Sequence, residues 1–333
     1  MAIRICSYNI EWFNHLFNSN NSLKTSQKAM ERLDALHQVL NHVNADLLGI
    51  IEAPNSTASG SQSTVTKLEN FASHFELRTS KAKVGFISGG EQEIAVLYDP
   101  TVLTVSHAPG GSTTSKSNPR FDGEYYFDTD DDRIKEVYKH YRPPLEAKVT
   151  VKASGKEFRL IVAHMKSKGI FSSMDMVHLE RESRRNRLKI FAECSWIRRR
   201  VDEWLDKGHQ VVVMGDINDG PGMDEYEMRY GRSGVEILMG SIFEPDRLLR
   251  NHAGKPKWGP LGWTPSTVRF KDRITETYIN VLIDHILISS GFKTSGQNPY
   301  QIWNPFQNDN AKPFKDDLRH ASDHFPISIN LNV

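Results

Sequence analysis

Long apolar runs are missing from this chain of 333 residues. Runs such as Leu47–Ile51 and Val211–Met214 fall far short of the ~18–20 residues that a membrane-crossing helix needs. Cysteine is scarce: Cys6 and Cys194 cannot build a disulfide framework, and each sits in an apolar pattern that reads as core. A charge excess of one sign is also absent. Lys and Arg number 42 against 41 Asp and Glu, a formal net charge of +1, so any electrostatic recognition must come from local patches. The opening MAIRICSYNI carries no basic stretch followed by an apolar one. The expected location is therefore cytoplasmic. Membrane contact is disfavoured, and nothing calls for a stable protein partner. No internal repeat and no Gly/Ser linker divides the chain.

What is present is a mixture of strands and helices along the whole length. Apolar residues 38% and charged residues 25% describe a chain able to bury a core. Thr25–Val43 reads as a helix, with Ala29, Leu33, Leu36, Leu40 and Val43 at spacings of four and three. Val65–His74 reads as a second helix. Within Met176–Leu205, Ile190, Cys194, Ile197, Val201 and Trp204 form the stripe of a long one. Short strands are expected at Ile3–Tyr8, Leu47–Ile51, Val84–Ile87, Ile94–Tyr98, Leu145–Val151, Phe158–Ala163, Val211–Met214, Val281–Ile288 and Phe325–Leu331. Residues 106–141 are rich in Ser, Thr, Gly and Pro and then acidic (Asp128, Asp130, Asp131, Asp132). They read as an excursion within a single domain of residues 1–333.

Polar residues suited to metal or proton chemistry stand at the ends of the apolar runs: Asn9, Glu52, His164, Asp216 with Asn218, and Asp323-His324 before the last strand. A rigid sheet can gather such strand ends at one rim. In order, the segments are Ser7-Tyr8-Asn9, Gly49-Ile50-Ile51-Glu52, Ala163-His164-Met165-Lys166-Ser167, Gly215-Asp216-Ile217-Asn218-Asp219, Ile283-Asp284-His285-Ile286-Leu287 and Ser322-Asp323-His324-Phe325-Pro326. Each alone is weak; six in this order, from Ser7 to Pro326, resemble the signature segments of the endonuclease/exonuclease/phosphatase superfamily, which includes deoxyribonuclease I.

The resemblance implies an α/β fold: a four-layer αββα sandwich of two packed mixed β-sheets. It implies Mg²⁺, with Mn²⁺ or Ca²⁺ as substitutes, held by Glu52, Asn9, Asp216 and Asp323, since hard cations take oxygen ligands. His324, oriented by Asp284, would exchange protons or stabilise developing charge. Asp216 would hold or activate the attacking water. Asn218, Asn9, Arg142, Lys166 and His164 would contact phosphate, with His164 also able to protonate a leaving oxygen. Asp219 and His285 read as structural. Glu93 could support His164. In the Gly-Asp-x-Asn segment, Gly215 would let the chain turn after its strand.

The implied activity is metal-dependent phosphodiester hydrolysis by in-line attack of water, with nucleic acid as the expected substrate. The alternative is a small-molecule or lipid phosphoester. In placing histidine at 164 the chain resembles deoxyribonuclease I and the bacterial sphingomyelinases. The predicted helix around Arg181–Arg200 carries eight basic residues, which suit either a solvated face paired with acids or contact with a phosphodiester backbone. Trp258 and Trp263 leave open a membrane-seeking or stacking role.

Overall fold

The computed structural model describes residues 1–129, 132–169, 176–220, 231–253, 265–271 and 276–333; Trp258, Trp263, Asp130 and Asp131 lie outside them. The chain begins with β1 (Ala2–Asn9), α1 (Gln27–Val43), β2 (Leu47–Ala53), α2 (Thr64–His74), β3 (Lys81–Val84), β4 (Glu93–Tyr98) and β5 (Leu103–His107). It continues through β6 (Tyr125–Phe127), β7 (Glu136–Tyr138), β8 (Leu145–Val151), β9 (Glu157–His164), α3 (Met176–Asp206) and β10 (Val211–Asp216). Then come α4 (Gly234–Met239), β11 (Leu249–Asn251), β12 (Val268–Lys271), β13 (Tyr278–Val281) and β14 (Asp284–Ser289). Last are β15 (Lys293–Thr294), β16 (Tyr300–Ile302), α5 (Lys315–Ala321) and β17 (Ile327–Asn332).

Two mixed sheets form the body. One runs β15-β17-β1-β2-β4-β3, with β16 also on β17; the other runs β11-β14-β10-β9-β8-β5. In each sheet one central pair is parallel, β1 with β2 and β9 with β10, and the pairs around it are antiparallel. Side-chain alternation along a strand dictates the layers. Ile3 and Ile5 of β1 join Leu160 and Val162 of β9, Val212 and Met214 of β10, and Ile286 and Ile288 of β14 in a core between the sheets. The residues between them point outward. Cys6 and Tyr8 meet Leu33 and Leu36 of α1 and Phe71 of α2. Ile161, Val211 and Val213 meet Ile190, Ile197 and Val201 of α3. The result is the expected four-layer αββα sandwich. Both cysteines are buried and unpaired.

The helical stripes read from the sequence are the buried faces of α1 and α3. Three expectations change. The strand anticipated at Val84–Ile87 is instead Lys81–Val84, because Phe86 leaves the sheet to lie 4.6 Å from the Arg120 guanidinium. The run Val281–Ile288 is two strands; at the break, the N–H groups of Ile283 and Asp284 donate to Thr267 Oγ1 at 3.2 and 3.1 Å. Gly215 belongs to β10 itself, at φ 143, where a Cβ would fall 1.9 Å from the Ala163 carbonyl oxygen. Glycine there permits close strand packing, not a turn.

Segment 106–141 is not apolar enough to hold itself together, and it borrows a core from α3. Phe121 and Tyr125 pack against Trp196, with ring centroids 5.5 and 5.1 Å away. Arg200 of α3 is buried. It pairs with Glu146 and donates to Asn118 Oδ1 and Pro119 O, both at 3.0 Å. Among the described residues no helix is long and apolar enough to cross a membrane.

Candidate active site

The alternation that builds the inter-sheet core also aims a set of polar side chains. Each row of inward-facing apolar residues ends in one of them: Ile3 and Ile5 lead to Asn9, Leu160 and Val162 to His164, Val212 and Met214 to Asp216. Strand β14 runs the other way, so its inward row begins with Asp284. The ladder places Asp216 opposite both His164 and Asp284. His324 joins from the segment before β17, held by a bridge to Val268.

These groups meet at one rim. His324 Nδ1 lies 2.8 Å from Asp284 Oδ2, and His324 Nε2 lies 3.9 Å from Asp216 Oδ2. Asn9 Nδ2 donates to Asp216 Oδ2 at 3.1 Å and sits 3.4 Å from His324 Nε2. His164 Nε2 is 3.7 Å from Asp216 Oδ2. Asp216 Oδ1 accepts the Asn218 backbone N–H at 2.9 Å. The Asn218 side-chain amide donates to Met165 O at 3.1 Å, leaving it a second N–H. Ser322 Oγ donates to Asn9 O at 2.8 Å and accepts from the N–H of Glu11, bracing the rim.

Burial and charge set the protonation states. Burial, reinforced by the charge of Asp284, pushes Asp216 up to about 7, against the pull of His324 and of hydrogen bonds from Asn218 and Asn9. For His324 burial opposes the cation, but Asp284, Asp216 and Asp323 outweigh it and raise the imidazole to about 10. His164 is held well below its ordinary value by burial and by the charges of Arg142 and His324. One neutral and one cationic imidazole therefore flank a carboxylate that titrates near neutrality.

Glu52 stands beside this cluster. Asn9 pairs with Ile51 in the β1–β2 ladder, and the next residue, Glu52, sits in a bulge at φ 58. Its Oε2 accepts from Trp12 N at 2.9 Å and from Gln92 Nε2 at 2.5 Å. Gln92 Oε1 in turn accepts from Arg142 Nη2. Asn9 Oδ1, Asp284 Oδ1 and Asp323 Oδ1 are buried without a hydrogen-bond partner. An orphaned amide oxygen on Asn9, whose ladder partner Ile51 directly precedes the half-buried Glu52, suits a hard divalent cation. Asp216, Asp284 and His324 also bring ligand-type atoms within 4.8 Å of one another. Because His324 is held as a cation against Asp284, that trio reads as a proton-bearing cluster, and Glu52 with Asn9 as the oxygen donors. Asp323 is more open and lies 3.9 Å from His324 Nε2.

The charge of Arg142 acts on His164, and Lys166 follows His164 by two residues. The Lys166 backbone N–H donates to Glu193 Oε2 at 2.8 Å, and its ammonium reaches Ser167 O at 3.2 Å. Burial pushes Glu193 up to about 7, opposed chiefly by Lys189 and by Arg142 and Lys166. Asp219 and His285 are tied to surrounding elements. Asp219 pairs with Arg187 at 3.3 Å and accepts from Gly234 N at 2.7 Å, while His285 Nε2 is 3.0 Å from Asp219 O. Glu93 does not reach out to support His164; its Oε2 accepts from Ser88 N at 3.0 Å. Gln92 and Glu193 had no signal in the sequence, because neither belongs to a motif and each acts through a neighbour.

The basic residues of α3 take two roles, and Lys189 shares in both. Arg187, Lys189, Arg198 and Arg200 pair with Asp219, Glu193, Asp202 and Glu146. Arg181, Arg184, Arg185 and Lys189 line a groove of about 520 Å³ shared with Tyr138 and Leu188.

Solved structures share this architecture. A truncated Caenorhabditis elegans TDP2 aligns over 100% of this chain and 98% of its own, at 14% identity and a TM-score of 0.54. A Bacteroides thetaiotaomicron protein of the endonuclease/exonuclease/phosphatase family aligns over 99% and 97%, at 14% identity and 0.50. The human Nocturnin catalytic domain with bound sulfate aligns over 99% and 93%, at 12% identity and 0.50. At such identities the likeness speaks for the fold alone. No curated protein sequence matches the chain. The model of the Endonuclease/Exonuclease/phosphatase family matches residues 6–324. The span takes in every strand end that forms the rim, and the chain belongs to that family.

Proposed function

We propose that this protein is a divalent-metal-dependent phosphodiester hydrolase acting on nucleic acid, and that residues 1–333 form its single catalytic domain. The observation that carries the reading is the convergence of Asn9, His164, Asp216, Asp284 and His324, drawn from both ends and the middle of the chain, on one rim beside Glu52. Glu52 and Asn9 would hold a cation such as Mg²⁺, with Asp216 and Asp323 close by. When bound, the ion supplies Lewis-acid neutralisation of charge on phosphate oxygens.

The protein groups divide the remaining work. Asp216, raised toward neutrality, orients the attacking water and takes its proton. His324, kept cationic by Asp284, donates to a non-bridging oxygen as negative charge builds in the transition state. Asn9 and Asn218 contribute amide N–H groups to the same oxygens. Neutral His164 faces the leaving oxygen with its ring N–H, and Arg142 and Lys166 add positive charge. Arg142 is positioned by Gln92, the residue that also steadies Glu52. The groove lined by Arg181, Arg184, Arg185 and Lys189 supports a polyanionic substrate. Lys189 connects it to the rim through Glu193, which binds the Lys166 backbone.

A substrate panel tests the reading: supercoiled DNA, single-stranded DNA, RNA, bis-p-nitrophenyl phosphate and sphingomyelin, each with Mg²⁺, Mn²⁺ or EDTA. The expected result is metal-dependent cleavage of a polynucleotide and of the model diester, with only the former slowing steeply as salt rises. Cleavage of sphingomyelin alone, or of no diester under any metal, contradicts it.

A further inference from the structure

A second cavity, of about 550 Å³, opens beside His324, with Ser322, Asp323 and Phe325 in its wall. Strand β12 sets its chemistry. Val268 pairs with His324, the Arg269 N–H donates to Asp323 O at 3.4 Å, and the Phe325 N–H donates to Thr267 O at 2.7 Å. Arg269 therefore follows directly on the residue opposite His324. Its guanidinium carbon lies 4.5 Å from the Tyr278 ring centroid and 4.2 Å from that of Phe306. These two contacts hold the guanidinium in place by cation–π attraction. Its Nε is buried without a hydrogen-bond partner. Arg319 and His320 line the same cavity, and the Lys315 ammonium lies 5.1 Å from the Phe306 ring. Glu11 and Asp323 are its acidic members; Asp323 borders the catalytic rim at 3.9 Å from His324 Nε2.

We infer that this cavity is a subsite for a second phosphate of the substrate, one unit along from the phosphate that is cleaved. The inference rests on the hydrolase reading above and specifies its substrate as a diester with a neighbouring phosphate. The guanidinium of Arg269, held by the two rings, offers donors that a tetrahedral oxyanion accepts, and Arg319 of α5 adds charge from the same lining. The two rings are engaged by Arg269, so they serve as its clamp. A phosphate of this kind occurs in a polynucleotide and in a phosphorylated polyol diester.

Steady-state kinetics with Mg²⁺ separate these sources. One pair of substrates is thymidylyl-thymidine with and without a terminal phosphate, at its 5′ or 3′ end; the other is glycerophosphoinositol with and without a 4-phosphate. The added phosphate is expected to lower KM about 10-fold in one pair, with kcat little changed, as a charge-assisted bidentate contact should. A gain in the dinucleotide pair identifies a polynucleotide, and one in the inositol pair a small polyol phosphate. Arg269→Met is expected to lose about 10-fold more kcat/KM on the phosphorylated member than on its parent. Arg319→Ala, at an exposed position, should lose in the same direction. No gain from the extra phosphate in either pair overturns the subsite, as does an equal loss on parent and phosphorylated substrates in both variants. Should the wild type cleave none of the parents, the hydrolase reading falls. Equilibrium dialysis of inorganic phosphate in EDTA then decides the subsite, which stands if Arg269→Met weakens binding and falls if it does not.

Discussion

His324 and Asp284 are separated by 40 positions in the chain and by 2.8 Å in space. Asp284 acts on two groups at once, raising His324 to about 10 and helping to raise Asp216 to about 7. A reaction needing ionised Asp216 and protonated His324 has a bell-shaped pH profile. Asp284→Asn removes a negative charge facing both groups. The acid limb, set by Asp216, and the alkaline limb, set by His324, should then both move to lower pH. The measurement is kcat/KM against pH for the variant and the wild type at fixed Mg²⁺. An unmoved alkaline limb would refute the pairing.

Gln92 joins Glu52 to Arg142 through one side-chain amide and holds φ 71 to do so. Gln92→Ala should raise the half-saturating Mg²⁺ concentration by roughly 10–100-fold, as removal of a ligand-orienting partner does. Gln92→Glu should not rescue it, because it sets a second carboxylate against Glu52. A metal titration of diester hydrolysis reads this directly, and an unchanged midpoint contradicts the role.

Arg200 and Glu146 form a fully buried ion pair that also ties residues 118 and 119 to α3. Arg200→Met strands Glu146 and should cost about 3–5 kcal/mol in urea unfolding. Early proteolytic nicking within 106–141 should accompany it. A cost below about 1 kcal/mol, the scale of an exposed pair, would show that the pair does not anchor the segment.

Much of this architecture is legible in the sequence because alternation and strand ends are local signals. Asn9, His164, Asp216 and Asp284 each close or open an inward-facing row, so period-two reasoning carries them to one rim once the strands are known. The helical stripes of α1 and α3 are equally local. What the sequence hides is made by distant segments meeting. Gln92 gains its place by meeting Glu52 and Arg142, and Glu193 by meeting the Lys166 backbone. Gly215 matters through the Ala163 carbonyl, and Phe86 leaves its strand for Arg120. The eight cations near α3 look alike in one dimension. Only packing separates the buried Arg187 and Arg200 from the groove-lining Arg181, Arg184 and Arg185.

That separation predicts salt behaviour. Removing Arg181 and Arg185 together should flatten the dependence of polynucleotide cleavage on salt, by about 0.7–0.9 in log–log slope for each phosphate no longer neutralised. Hydrolysis of bis-p-nitrophenyl phosphate, which does not span the groove, should show no matching change in slope. Equal slopes for the variant and the wild type on polynucleotide would remove the groove from the substrate path.

If the assembled rim hydrolyses a phosphodiester, turnover depends on Asp216 and His324. The decisive measurement is turnover of bis-p-nitrophenyl phosphate with Mg²⁺ by Asp216→Asn and His324→Ala, each checked for an unchanged melting temperature. The expected result is a fall in kcat of at least about 10²-fold in each, the lower range for loss of a proton-transfer group. Turnover equal to that of the wild type in both folded variants would contradict it.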